Sequence, residues 1–492
     1  MKKRIGIKKR TVGALCALLA AFSAGAMAAE KPNVVLMLGD NLGYGDLSTY
    51  NGGSRGNFKT PNIDQLAEEG MKMTQFLVEP GCTPSRAGLL TGQYSIRSGM
   101  SLIITPGGQG GLQPDDYTLG HLFKDAGYNT AYTGKWHLGP GSHSHPQNQG
   151  FDKWLLGFTG TTDGVLWGEA AVSAGMPENF QKKVTIPLLS ADGSGEAKKI
   201  GEYTREKRKF IEGDIAKTAV DYITDHANKD DPFFLMVGWT RPHFPNDPAP
   251  EFLGKSGAGV YGDSVMELDA RTGEVLNAIE KAGIEDNTVV IWISDNGATV
   301  TGTVPGEVGG GSNGPFRGEL GDGNEGSIRT AGMIKWPGKI QPSVSNEMVS
   351  VHDFLPTFAE ILGKKLPKDR PYDGVDQSEF FLGKTDKSAR EHLITFVGDR
   401  IIAVRWKQFR IYPLEFIGSE TNPQYKGGYL SSTKETAGFP RIYNIDADPR
   451  EMQDIAVSGS AWVFGAYGKI IAEYKKSLKK YPNPPAPNLT HM

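Results

Sequence analysis

Cys82 stands in Gly81-Cys82-Thr83-Pro84-Ser85-Arg86, ahead of a helix-like run that starts at Ser85. A thiol placed there lies near a helix amino end, where backbone donors and the helix dipole favour an anion. A buried cysteine is otherwise a small, inert apolar group. Two Asp-Asn pairs, Asp40-Asn41 and Asp295-Asn296, each follow a short apolar run. Together they offer two carboxylates and two amide oxygens, a donor set for a hard divalent cation such as calcium, with magnesium the alternative. The same pairs also cap helices and shape turns. Lys135 and His137 follow a third apolar run and His243 a fourth, adding a cation and two proton-transfer groups. Pro242-His243-Phe244-Pro245 is equally a sequence that packs a loop.

These residues need a scaffold that brings four distant segments together. The runs Asn33 to Leu38, Asn129 to Tyr132, Phe233 to Val237 and Thr288 to Ile293 read as strands buried on both faces of a parallel sheet. Helix-like stretches at Asn62 to Gly70, Thr118 to Gly127, Gly213 to Ala227 and Gly262 to Gly283 alternate with them, the pattern of an α/β protein. Ligands bind at the carboxyl ends of such strands, so Asp40, Lys135, His243 and Asp295 are expected on one rim. After about Lys364 the pattern changes. Short runs at His392 to Val397, Ile401 to Trp406, Phe409 to Tyr412 and Arg441 to Asn444, then a helix from about Ala461 to Lys479, predict a small antiparallel sheet with a covering helix. The Pro-rich end from Tyr481 reads as an extended tail.

Cys82-Thr83-Pro84-Ser85-Arg86, continued by Ala87-Gly88-Leu89-Leu90-Thr91-Gly92, resembles the signature of the sulfatase family. Gly134-Lys135-Trp136-His137-Leu138-Gly139, Ser294-Asp295-Asn296-Gly297 and Tyr443-Asn444-Ile445-Asp446-Ala447-Asp448-Pro449 resemble further motifs of that family, in family order. The resemblance implies an alkaline-phosphatase-like fold: an α/β domain with a large mixed, mainly parallel sheet between helices, and a smaller carboxyl-terminal antiparallel sheet with a helix. It also implies that a formylglycine-generating enzyme oxidises Cys82 to formylglycine. Asp40, Asn41, Asp295 and Asn296 would hold the metal, which the modified Cys82 also contacts. Lys135 and Arg86 would hold the sulfate, His137 would take a proton from the nucleophile's second hydroxyl, and His243 would bind substrate and protonate the leaving oxygen.

Two positions depart from the family pattern. Asn41 stands where many members have a second consecutive aspartate, which removes one negative charge from the metal site. Leu320 stands where many place a lysine on the sulfate, so Arg317 or Arg329 is the candidate replacement, Arg317 as a substrate-binding residue.

The amino terminus carries Lys2, Lys3, Arg4, Lys8, Lys9 and Arg10, then an apolar stretch from about Val12 to Phe22 closed by Ala26-Met27-Ala28. That is the pattern of a signal peptide cleaved after residue 28, too short for a stable membrane anchor, and it predicts a periplasmic or secreted protein. Cleavage leaves 47 basic against 56 acidic residues, a net charge near minus nine that offers no nucleic-acid surface. Cys82 becomes the single cysteine, unable to form an internal disulfide. The expected division is a signal peptide at 1–28, a catalytic domain at 29–375 and a smaller subdomain at 376–492. The substrate that the resemblance implies is a sulfate ester, either a small aryl sulfate or a sulfated carbohydrate. Aromatic-rich loops at Phe151 to Trp167, Trp239 and Phe244 either stack on a phenol or sugar ring or simply pack. The competing functions are a phosphate or phosphonate ester hydrolase of the same superfamily and a non-catalytic exported binding protein.

Overall fold

Val34, Leu36 and Leu38 enter one apolar core while Val35 and Met37 enter another. This period-two alternation makes the first apolar run a strand with protein on both faces. The computed structural model describes residues 31–51, 58–105, 108, 110–300, 309–417, 432–436, 438–457 and 459–485. The expected signal peptide at 1–28 lies outside them. Ten strands form one sheet: β1 (Asn33–Asp40), β2 (Met71–Leu77), β3 (Asn129–Lys135), β4 (Lys153–Phe158), β5 (Pro187–Asp192), β6 (Lys198–Glu202), β7 (Phe233–Pro242), β8 (Thr288–Ser294), β9 (Arg329–Lys335) and β10 (Ser343–Ser350). Their spatial order is β10-β2-β9-β8-β1-β7-β3-β4-β5-β6. The five central strands from β8 to β4 are parallel, and β9, β5 and β6 pair antiparallel with their neighbours.

Helices cover both faces. Pro61–Glu69, Ile211–His226 and Gly259–Lys281 bury Ile63, Ile215, Val265 and Leu268 against Val35 and Met37. Cys82–Thr91, Leu119–Asp125 and Phe354–Ile361 bury Leu89, Phe123 and Phe358 against Leu36 and Leu38. Four further strands, β11 (His392–Val397), β12 (Arg400–Trp406), β13 (Phe409–Tyr412) and β16 (Arg441–Asn444), form an antiparallel sheet. A separate ribbon pairs β14 (Leu414–Ile417) with β15 (Ser432–Glu435). The helix Val463–Leu478 contributes Ile470 and Tyr474 to a core that also holds Phe396, Val404, Leu77 and Met348, so both sheets share apolar contacts. Residue 375, the expected edge of the catalytic domain, is tied back to the large unit: Val375 N donates to Asp353 at 2.8 Å, and Gly374 N to the Gly92 carbonyl at 2.9 Å.

The expected aromatic loop at Phe151 to Trp167 holds strand β4 and the first turn of the helix Gly164–Ser173. Phe151, Trp154, Phe158 and Trp239 are wholly buried, so ring packing accounts for them, whereas Trp167 is 40% exposed.

Candidate active site

Asp40 and Lys135 end β1 and β3, His243 directly follows β7, and Asp295 directly follows β8. These four strands are adjacent and parallel, with Gly39 level with Ser294 and Gly134 level with Gly238. The four side chains therefore meet at one rim, all 3% exposed or less. The helix Cys82–Thr91 points its amino end at them, and every one of its ten residues is buried. Gly88 lets the His352 ring pack where a Cβ would sit 2.8 Å from Nε2, and Gly92 (φ 65°) closes the helix by donating to the Gly88 carbonyl at 2.9 Å.

Lys135 Nζ donates to both Asp40 oxygens at 2.8 Å. Arg86 donates through Nε to Asp295 Oδ2 at 3.0 Å and through Nη1 to the Lys135 carbonyl at 2.6 Å. Asp295 Oδ1 accepts from Asn41 N at 3.0 Å, and Asn296 Nδ2 donates to Asn41 Oδ1 at 2.7 Å. Cys82 Sγ lies 3.7 Å from that same oxygen. One donor atom each from Asp40, Cys82 and His243 fall within 4.8 Å of one another.

Burial alone would raise the Asp40 pKa, but Lys135, His243 and Arg86 outweigh it and hold the carboxyl well below the usual range. Asp295 goes the other way, pushed up to about 6 by burial and by Asp40 despite the Arg86 guanidinium. Burial also pushes the Cys82 thiol far above its usual range, and Asp295 and Asp40 add to this against Lys135 and Arg86. Burial lowers the pKa of both the His137 and His243 imidazoles, while the Asp40 charge works the other way.

The donors fit a divalent cation. Two carboxylates share a buried site in which one is pushed toward protonation, a tension that a cation relieves. Asn296 Oδ1 is buried without a hydrogen-bond partner, and amide oxygens are hard-cation ligands.

His137 Nε2 lies 2.9 Å from the Ile104 carbonyl, which can only accept, so this nitrogen carries the proton. Nδ1 is then the lone-pair atom, buried and without a partner. Thr83 Oγ1 donates to the His137 carbonyl at 3.0 Å, tying this loop to the Cys82 helix. By the same logic His243 donates Nδ1–H to the Phe244 carbonyl at 2.6 Å, which leaves Nε2 facing the site, 4.0 Å from Asp163 Oδ1.

Arg317 and Arg329 have other partners. Arg317 donates to the Glu451 carbonyl at 3.3 Å. Arg329 donates to the Thr74 carbonyl at 2.8 Å, lies 3.5 Å from Glu325 and stacks 4.4 Å over the Phe316 ring. Leu320 N donates to the Ala298 carbonyl at 3.1 Å, which places Leu320 just beyond Asn296.

Sequence reading passed over three residues here. Thr162 Oγ1 donates to Asp40 Oδ2 at 2.6 Å, Tyr132 Oη donates to the Lys135 carbonyl, and Asp163 stands beside His243. The one signal was Thr161-Thr162-Asp163 between two glycines after an apolar strand, a polar cluster hidden among aromatic residues.

A family model described as Sulfatase matches residues 32–364. The steryl-sulfatase of Rattus norvegicus is 35% identical over 494 residues, covering 85% of this chain and 84% of that protein. Arylsulfatase A of Homo sapiens is 35% identical over 454 residues, covering 89% and 86%. The crystal structure of the PsFucS1 sulfatase from Pseudoalteromonas sp. matches with a TM-score of 0.84 at 29% identity, covering 92% of each chain.

Proposed function

Because the chain belongs to the sulfatase family, and is thereby a sulfuric ester hydrolase, we propose that it cleaves aryl sulfates or sulfated carbohydrates with a formylglycine made from Cys82. A divalent cation, calcium before magnesium, is held by Asp40, Asn41, Asp295 and Asn296. The observation that carries this is the meeting of Cys82, Asp40 and His243 within 4.8 Å in a buried site.

Hydrated formylglycine supplies two hydroxyls on one carbon, one to attack sulfur and one to expel sulfate as the aldehyde re-forms, and the cation supplies positive charge to the reacting oxygens. The chain's own residues do the rest. Lys135 and Arg86, both wholly buried, neutralise the ester's oxygens in a medium where water screens little. His137 Nδ1, its lone pair unengaged, accepts the proton of the second hydroxyl. His243, oriented by the Phe244 carbonyl, directs Nε2 at the leaving oxygen and, as the imidazolium that the nearby Asp40 charge favours, gives its Nε2 proton to that oxygen. With Leu320 in place of a lysine, Lys135 and Arg86 are the cations left to hold sulfate.

Residues 1–28 export the protein to the periplasm or beyond, and a formylglycine-generating enzyme acts on Cys82 before folding buries it. No helix among the described residues is long and apolar enough to cross a membrane.

Mass spectrometry of the Cys82 peptide, with sulfate release measured on the same sample, tests the proposal. Expected are a loss of about 18 mass units, thiol to aldehyde, and turnover that Cys82→Ala abolishes. An intact thiol from a host able to convert such cysteines, with no sulfate released, would sink the mechanism. Cleavage of an aryl phosphate in place of the sulfate would favour the phosphoesterase, and metal binding without any turnover the binding protein.

A further inference from the structure

The site residues named so far are at most 3% exposed, but the Asp163 carboxylate beside them is 17% exposed. Its Oδ1 lies 4.0 Å from His243 Nε2, the nitrogen assigned to the leaving oxygen, and accepts from the Thr161 hydroxyl. The next side chain inward, Thr162, donates to Asp40 at 2.6 Å. The segment 161–163 thus reaches the innermost carboxylate with one residue and sets a charge on the solvent side of His243 with the next.

A structural duty for this carboxylate would be to cap the helix Gly164–Ser173, which begins at the following residue. Asp163 makes no side-chain cap bond to it, and its backbone (φ −76°, ψ 0°) is already helical, whereas a capping residue is extended. Nor is the charge cancelled from within, because Lys135 is engaged by Asp40 and Arg86 by Asp295.

We propose that Asp163 reads the substituent beside the scissile sulfate on the leaving alcohol, favouring a hydroxyl or amine there and rejecting an anion. This rests on the sulfatase reading of the site. A hydroxyl or ammonium near His243 can donate to the carboxylate, as the free hydroxyls of a singly sulfated neutral sugar do. A second sulfate or a carboxylate in the same place meets a like charge at short range, screened only in part, so discrimination of about tenfold or more follows. The substrate class is then a monosulfated, hydroxyl-rich alcohol and not a polyanion.

Three esters of matched leaving-group acidity test this: phenyl sulfate, 3-hydroxyphenyl sulfate and 3-carboxyphenyl sulfate, each assayed for kcat/KM with the matured, calcium-loaded enzyme. The wild type should turn over the carboxylate ester about tenfold or more below phenyl sulfate. Asp163→Asn should close that gap to within about threefold, and Asp163→Glu should keep it. Such ratios do not depend on how much of a variant folds, and they cancel any change in His243 common to all three esters. A wild type without the gap, or a gap that survives in Asp163→Asn, overturns the assignment of Asp163 alone. No sulfate released from any of the three, nor from a monosulfated neutral sugar assayed beside them, overturns the sulfatase reading and this assignment with it.

Discussion

Asn41 and His137 both hold φ near 60°, at 61° and 58°. A non-glycine residue in that left-handed region costs energy and persists only where its surroundings over-determine it. Here they do. Asn41 is fixed by Asp295 and Asn296, and His137 by Thr83 and Ile104. Asparagine and aspartate tolerate this conformation better than other residues, so Asn41→Asp should fold normally while adding one negative charge to the site. The calcium concentration at half-maximal activity should fall about tenfold, read from a titration in chelator-buffered calcium. An unchanged midpoint would mean that Asn41 is not a ligand. At this scale sequence was a good guide, because residue type limits chemistry. It could not find Thr162 or Asp163, whose importance comes from neighbours 80 or more residues away in sequence.

Strands β3 and β7 close on each other and on Arg86 only because two glycines lie side by side. A Cβ on Gly134 (φ 99°) would sit 1.9 Å from the Gly238 carbonyl oxygen. A Cβ on Gly238 would sit 2.5 Å from the Lys135 carbonyl and 3.2 Å from Arg86 Nη1. Gly238→Ala should therefore cost about 1–3 kcal/mol by overpacking, seen as a lower denaturant midpoint. It should also lower kcat more than that loss explains, since Arg86 and the Lys135 backbone must both shift. A variant less stable but with wild-type kcat would show that the contact does not reach the chemistry. Four of the five central strands, β1, β3, β7 and β8, and the long helices were legible from sequence because their burial is continuous or regularly periodic. β2 mixes Lys72, Thr74 and Gln75 with its apolar residues, and β10 begins with exposed residues, so neither carries that signal.

The two sheets are joined by buried charge as well as by apolar contact. Glu325, wholly buried, lies 3.2 Å from Arg405 and 3.5 Å from each of Arg410 and Arg329, and Glu451 accepts from Glu325 N at 3.0 Å. The adjoining Ser327 carbonyl accepts from Gly297 N at 2.8 Å, so the small sheet braces the loop that carries Asp295 and Asn296. Burial would raise the Glu325 pKa, but Arg405, Arg410 and Arg329 reverse this and lower it. A carboxyl lowered in the folded state stabilises above its unfolded value, near about 4.3, and loses that contribution as pH falls through the folded value. Glu325→Gln, which leaves buried arginines short of charge, should cost about 3–5 kcal/mol at neutral pH. The difference from wild type should shrink below about pH 4, measured by denaturant unfolding across pH. A constant difference would assign the loss to packing instead. The sequence by itself determined the family, the strand ends that present Asp40, Lys135, His243 and Asp295, and the residues that could serve as nucleophile and oxygen donors, because these depend on residue type and local periodicity. Only the tertiary structure decided which groups Arg317 and Arg329 contact, that most of the aromatic residues pack inside, and that Asp163 stands on the outer side of His243. Those outcomes depend on which distant groups compete for each side chain, and that competition is settled only when the sheets close.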